Sequence, residues 1–274
     1  MSAFSRFPRS VTVSLMAALC AFAIDARAVV GIELTSGNSV VKIDPFNPSG
    51  MNSWVVDGQN QLYQQWFWYR TASQTREYSI DTIGAPTIVQ NTPSQATSTY
   101  TGVGFTLRVT YDLVGGAGGS GQSAINETIT INNTTASPLG FGFFQYSDYN
   151  LGGVDLDVVQ IQSGFGYALV TSGPIGLGEA VISPSAANGE VAPYDLTLLK
   201  LNNNSVDNLN GSLGPSTPGD NTFAFQWDFT IAPNGSQIIS KVKSLQVQAI
   251  PEPTTVGLAL LGTFVLVSRR FLKK

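Results

Sequence analysis

The chain has 274 residues, 43% of them hydrophobic and only 12% charged, about half the globular average for charge. It contains no histidine and a single cysteine, Cys20. Imidazole bases, histidine metal ligands, Ser–His dyads and intrachain disulfides are therefore excluded. The chain opens with Arg6 and Arg9, followed by an apolar stretch from Val11 to Ile24 and small residues at Ala26 and Ala28. This is the layout of a secretory signal, with cleavage by signal peptidase expected after Ala28. Leu19 stands before Cys20, where a lipoprotein signal needs a small residue. An uncleaved anchor helix would need about 20 apolar residues, more than this stretch supplies.

Residues 29–250 carry seven basic and sixteen acidic side chains, a net charge near −9. An acidic domain without a basic stripe argues against nucleic acid and against anionic lipid as partners. Asn, Gln, Ser and Thr supply most of its polarity, which favours strands and turns over helices. Short β-rich runs alternate with Gly, Pro, Asn and Asp clusters. The expected strands include 29–35, 39–43, 53–56, 61–69, 77–80, 87–89, 98–113 and 123–132. They continue with 139–146, 155–162, 167–171, 180–182, 196–201, 222–231 and 238–247. This pattern predicts an all-β fold, an antiparallel β-sandwich of jelly-roll or super-sandwich type. A signal helix is expected before it and a hydrophobic helix after it. One domain is expected over 29–250, with a boundary near 114–122 as the alternative. No helical-period segment is read within it, and no fixed repeat.

Several stretches could carry chemistry. In Gln64–Arg70, Trp66 and Trp68 share one strand face, and Phe67 and Tyr69 the other. Exposed, the two tryptophans would stack on sugar rings; the alternative is a central strand with aromatics buried on both faces. Gly115–Gly121 lacks the Lys of a phosphate loop and reads as a hairpin connection. In 123–132, Glu127 sits among isoleucines on the apolar face. Asp148, Asn150, Asp155 and Asp157 gather around Gly152-Gly153, hard oxygen ligands of the kind Ca²⁺ prefers. The alternative is an Asx-rich turn, and no other cofactor is expected. Residues 202–220 read as a long surface loop. Without His or Cys, catalysis would need paired carboxylates, and Glu127 and Asp228 are the least ordinary acids. Arg70 and Arg76 could bind a uronate.

The chain closes with Pro251-Glu252-Pro253, an uncharged apolar run over Thr254–Val267, and the basic residues Arg269, Arg270, Lys273 and Lys274. As a helix the run would be about 21 Å long, short of a hydrocarbon core of about 30 Å. The basic end belongs on the cytoplasmic side, which puts 29–250 across the membrane, in agreement with the signal. This order of segments resembles the PEP-CTERM sorting signal of exported bacterial proteins. The resemblance implies recognition by an exosortase-type membrane protease, cleavage near Pro251-Glu252-Pro253, and delivery to the envelope or surface polysaccharide. A plain tail anchor is the other reading. The segment Phe141–Leu151 is also similar to one in exported proteins with such tails, and implies no activity.

Three segments are therefore expected: a signal at 1–28, an extracytoplasmic domain at 29–250, and a sorting or anchor segment at 251–274. The expected function is that of an exported, non-enzymatic surface or matrix protein, with glycan affinity if the tryptophans are exposed. The alternative is a carbohydrate-active enzyme, a glycosidase or lyase, using paired carboxylates; a structural adhesin is a third reading.

Overall fold

The computed structural model describes residues 31–247. The expected signal segment with Ala26 and Ala28, and the tail from Pro251 to Lys274, lie outside the described residues. No helix among the described residues is long and apolar enough to cross a membrane.

The domain is an antiparallel β-sandwich. Its first sheet contains β1 (Ile32–Ser36), β2 (Ser39–Asp44), β3 (Gly50–Val56), β4 (Gln59–Asn60), β5 (Leu62–Thr71) and β6 (Tyr78–Ser79). The second receives β7 (Thr87–Thr92), β8 (Gln95–Gly102), β9 (Phe105–Gly115) and β10 (Gln122–Asn133). The chain returns to the first with β11 (Leu139–Tyr149). It then adds β12 (Val158–Ile161), β13 (Tyr167–Ser172) and β14 (Ile175–Ser183) to the second. β15 (Asn188–Pro193) and β16 (Asn221–Ile231) complete the first sheet, with the helix α1 (Leu196–Asn202) between them, and β17 (Ser236–Val247) completes the second. The first sheet runs β1-β2-β3-β5-β11-β16-β15, with β4 on β3 and β6 on β5. The second runs β12-β13-β14-β17-β10-β9-β8-β7. A short parallel contact between β3 and β5 interrupts the antiparallel pairing.

The period-2 pattern explains the layers. In β9, Phe105, Leu107, Val109, Tyr111 and Leu113 all turn inward and are buried. In β10, Ile125, Ile129 and Ile131 do the same. From the facing sheet, Phe67, Phe143 and Trp227 fill the space between; Phe67 and Phe143 stack with centroids 5.3 Å apart. Such pairs add about 0.5–1.5 kcal/mol beyond burial. The glycine run 115–121 is the connection from β9 to β10. There the turns of opposite sheets meet: Gly37, at φ 51°, would place a Cβ 2.2 Å from the Gly116 carbonyl oxygen. No larger residue fits.

The centre of the first sheet is buried on both faces, and the expected strands need correction at three other places. Residues 196–201, expected as a strand, form α1. Apart from Thr197 they contain no β-branched residue, and Thr197 and Leu201, one helical turn apart, are both buried. The expected strand 98–113 is two strands, broken by a turn at Val103-Gly104, where Val103 is fully exposed. β15 is absent from the sequence reading because its Asn, Gly and Pro read as turn formers. Its proline is tolerated at the end of an edge strand.

α1 and the long segment after it lie over the outer face of β5, β11 and β16. Glu190 on β15 organises the cover: Oε1 accepts from Thr197 (2.8 Å) and Lys200 (2.7 Å), and Oε2 from the Asn210 amide (2.9 Å). The Leu209 amide donates to Gln226 Oε1 at 2.9 Å. Arg70 bonds Glu77 and donates to the Asp207 carbonyl at 2.9 Å.

A carboxylate cavity at the end of the first sheet

β11 delivers Asp148 to the end of the sheet, opposite Thr222 on β16 and Gln64 on β5. The chain then leaves the strand at Asn150 and turns through Leu151–Gly153, with Gly152 and Gly153 at φ 73° and 76°. Only glycine takes that conformation without cost. The turn sends Asp155 and Asp157 back along the sheet. Asp157 pairs with Gly219 as an isolated antiparallel bridge. The Asn221 side chain clamps this junction by donating to the carbonyls of Asp157 (2.8 Å), Thr217 (2.7 Å) and Gly219 (3.0 Å). Asp220, some seventy residues beyond Asp148 in the chain, is thereby drawn to the same place.

The result is a cavity of about 250 Å³ lined by Tyr63, Asp148, Asn150, Asp155, Tyr194 and Asp220. Tyr63 and Tyr194 are exposed and meet edge to face, centroids 6.2 Å apart at 82°. Asp148 is 1% exposed. Its Oδ2 accepts a long bond from the Tyr146 hydroxyl at 3.5 Å, and its Oδ1 has no partner. Burial, followed by the negative charge of Asp220, pushes the Asp148 carboxyl up to about 8. Burial also pushes Asp157 up to about 7, against the Leu151 amide, which favours its charged form. Asp220 is raised as well, by burial and then by Asp155. At neutral pH the site therefore holds Asp148 as a neutral acid facing other acids across an open space.

Three of the four expected Ca²⁺ ligands, Asp148, Asn150 and Asp155, line this cavity, and Asp157 lies beside it. Among the described residues no group of three or more acidic side chains is arranged to hold a metal ion. Tyr63, Tyr194 and Asp220 were not among the expected site residues. An exposed tyrosine next to Gln64 was a faint signal for Tyr63; nothing local marks Asp220.

The other expected sites resolve differently. Trp66 and Trp68 are both 0% exposed, so neither can stack on a sugar. The Trp66 indole donates to Ser79 Oγ (2.8 Å) and that of Trp68 to Asn202 Oδ1 (3.1 Å). Of the two readings of this strand, the structure shows the one with aromatics buried on both faces, the outer face being covered by α1 and the segment after it. Glu127 is buried as its isoleucine neighbours suggest, but between the sheets rather than in a cleft. It bonds Lys241 Nζ at 2.5 Å and also contacts Lys243. Burial raises its carboxyl, yet the two ammonium groups outweigh burial and hold it below its ordinary value. Asp228 is exposed and accepts from Gln226 Nε2 at 2.9 Å, away from the cavity. Arg70 is engaged by Glu77 and Asp207, and Arg76 lies over the Tyr78 ring at 4.5 Å. A recess of about 710 Å³ runs along the outer face of the second sheet past Ala124, Gly176, Gly178 and Ala180, and no charged side chain lines it.

No protein-family model matches the sequence, and no curated protein matches it. Solved structures do match the fold. A bacterial glucoamylase complexed with acarbose aligns with TM-score 0.57 at 9% identity, over 85% of this chain and 36% of that one. The chain thus spans about a third of the glucoamylase. A putative aldose 1-epimerase from Escherichia coli K12 aligns with TM-score 0.53 at 11% identity, over 79% of this chain and 98% of the other. A galactose mutarotase-like protein from Lactobacillus casei ATCC 334 gives 0.50 at 9% identity, over 79% and 100%. At such identities the likeness is one of fold. It nevertheless corrects the expectation of a non-enzymatic protein. That expectation rested on the lack of a diagnostic carboxylate spacing in the sequence, whereas the fold adopted is one shared with carbohydrate-active enzymes.

Proposed function

We propose that the domain is a carbohydrate-active enzyme that works through the carboxylates of this cavity. The observation that carries the reading is Asp148: a buried, protonated carboxyl with a free oxygen, facing Asp155 and Asp220 in a recess walled by exposed tyrosines. Glycosidic bond cleavage needs that asymmetry. One carboxylic acid gives its proton to the leaving oxygen, and a second carboxylate activates water or stabilises the developing positive charge. Asp148 fits the first role, and Asp220 with Asp155 the second. Tyr63 and Tyr194 offer ring faces and hydroxyls to a sugar. The glycosidase class requires no histidine, which suits this composition.

The export reading belongs with this proposal. The basic-apolar-small start and the PEP-CTERM-like tail support an enzyme that acts outside the cytoplasm, at the surface or in a polysaccharide matrix.

Release of reducing sugar from a panel of oligosaccharides and polysaccharides tests the activity, with and without Ca²⁺. D148N is expected to lower the rate by about 10²–10⁴-fold, the usual contribution of a general acid. The wild-type rate should fall as pH rises through about 8, where Asp148 loses its proton. An active enzyme indifferent to D148N would remove the cavity from the mechanism. Deletion of 251–274 should release the protein into the medium; identical fractionation with and without the tail would reject the sorting role.

A further inference from the structure

We propose that the sugar taken by the cavity carries a positive charge, as a glycoside with a free amino group, and that Asp155 holds its ammonium. The inference rests on the carbohydrate reading of this site and names the substrate class which that reading leaves open. Cleavage of a neutral glycoside uses a pair of carboxyls. The cavity is lined by three, Asp148, Asp155 and Asp220. Asp148 is the buried acid. Of the acids that raise its value, Asp220 contributes most and Asp155 least. Asp220 therefore suffices as the second carboxyl, and Asp155 is left over. Neither lysine nor arginine lines the space to balance it. A neutral sugar would leave that charge uncompensated. A uronate would add to it, and like charges brought together at an interface are strongly disfavoured. An ammonium offsets it.

Two further features point to the same ligand. Asp148 lines the space with its buried Oδ1 unpartnered, a polar atom left for a ligand to satisfy. Tyr63 and Tyr194 are exposed and meet edge to face, so one ring keeps its faces uncovered by the other. Aromatic faces attract cations, and a tyrosine wall beside a carboxylate serves an ammonium twice. At about 250 Å³ the cavity is smaller than the roughly 300–1,000 Å³ of a drug-sized site, so it takes a single sugar ring. The amine and the bond to be cleaved then belong to the same sugar. Burial is the main cause of the raised Asp148 value, and an ammonium on Asp155 does not remove it. Asp148 keeps its proton for the leaving oxygen.

Titration of the full chain at about pH 6, below the value of Asp148, with tetramers of glucosamine, N-acetylglucosamine and galacturonate separates the charges. The glucosamine tetramer is expected to bind about tenfold more tightly than its N-acetylated counterpart, and the galacturonate tetramer most weakly. D155N should cut that preference to about threefold or less, and D155E, which keeps the charge, should retain it. Equal binding of the glucosamine and N-acetylglucosamine tetramers overturns the proposal, as does a preference that D155N leaves unchanged. A lysine tetrapeptide bound more tightly than the glucosamine tetramer also overturns it, because the amine would then belong to a protein partner. Release of reducing ends from the same tetramers keeps this inference apart from the enzymatic reading. Cleavage without preference for the amine defeats the inference and leaves the enzyme. Amine-selective binding with no tetramer cleaved supports the cation site and defeats the enzyme.

Discussion

Two groups of buried acids in this domain are neutralised in opposite ways. Between the sheets, Glu127 and Glu179 face Lys241 and Lys243, and ammonium groups balance the charge. At the cavity, Asp148 and Asp157 face Asp155 and Asp220, no lysine or arginine lines the space, and protons balance it. Glu127 and Asp148 are each 1% exposed. Burial alone therefore does not decide whether a carboxyl is charged; the neighbours do. The first group is held in a fixed state. The second can exchange protons with a ligand at ordinary pH.

The sharpest way to break this contrast is to remove one member of the interior group. E127Q removes the carboxylate nearest to both Lys241 and Lys243 and leaves the two ammonium groups with Glu179 alone, and a loss of about 3–5 kcal/mol is expected in denaturant unfolding. A loss below about 1 kcal/mol would show that the cluster relaxes by taking up water. Next comes the pH dependence of stability. Asp148 and Asp157 have folded values above their unfolded ones, so the native state binds more protons than the unfolded chain between pH 4 and 8. Stability should be full below about pH 4 and fall as pH rises through about 7 and then 8. D148N should remove part of that slope and stabilise the domain at pH 9 by on the order of 2 kcal/mol. A slope unchanged in D148N would mean that Asp148 is ionised throughout. W68F deletes the bond to Asn202 that ties the cover to the sheet, and about 1 kcal/mol is expected. Y63A, at the rim, should alter stability by no more than about 0.5 kcal/mol while raising KM for a saccharide.

Much of the sandwich could be read directly from the residues. Ile125, Ile129 and Ile131 alternate cleanly, and their strand is where the alternation puts it. Glu127 broke that alternation for a reason invisible locally: its partners are more than a hundred residues away, at Lys241 and Lys243. The same holds for Trp66 and Trp68. Their strand was legible, but what lies above it comes from Asn202 and the segment beyond, so exposure could not be judged. At the candidate site, the glycine pair and the acids around it marked Asp148, Asn150 and Asp155. Asp220 and Tyr194 join through the bridge of Asp157 to Gly219 and the clamp of Asn221. Those contacts depend on topology, which composition does not encode.

The last described strand, β17, lies in the middle of its sheet, with β10 on one side and β14 on the other. Contacts so distant in the chain form slowly, because a long loop must close before any of them is made. Residues 236–247 are the only strand that joins β7 to β10 with β12 to β14 within this sheet among the described residues. The second sheet therefore closes only once its central strand is in place, so loosening β17 should open both halves of that sheet at once.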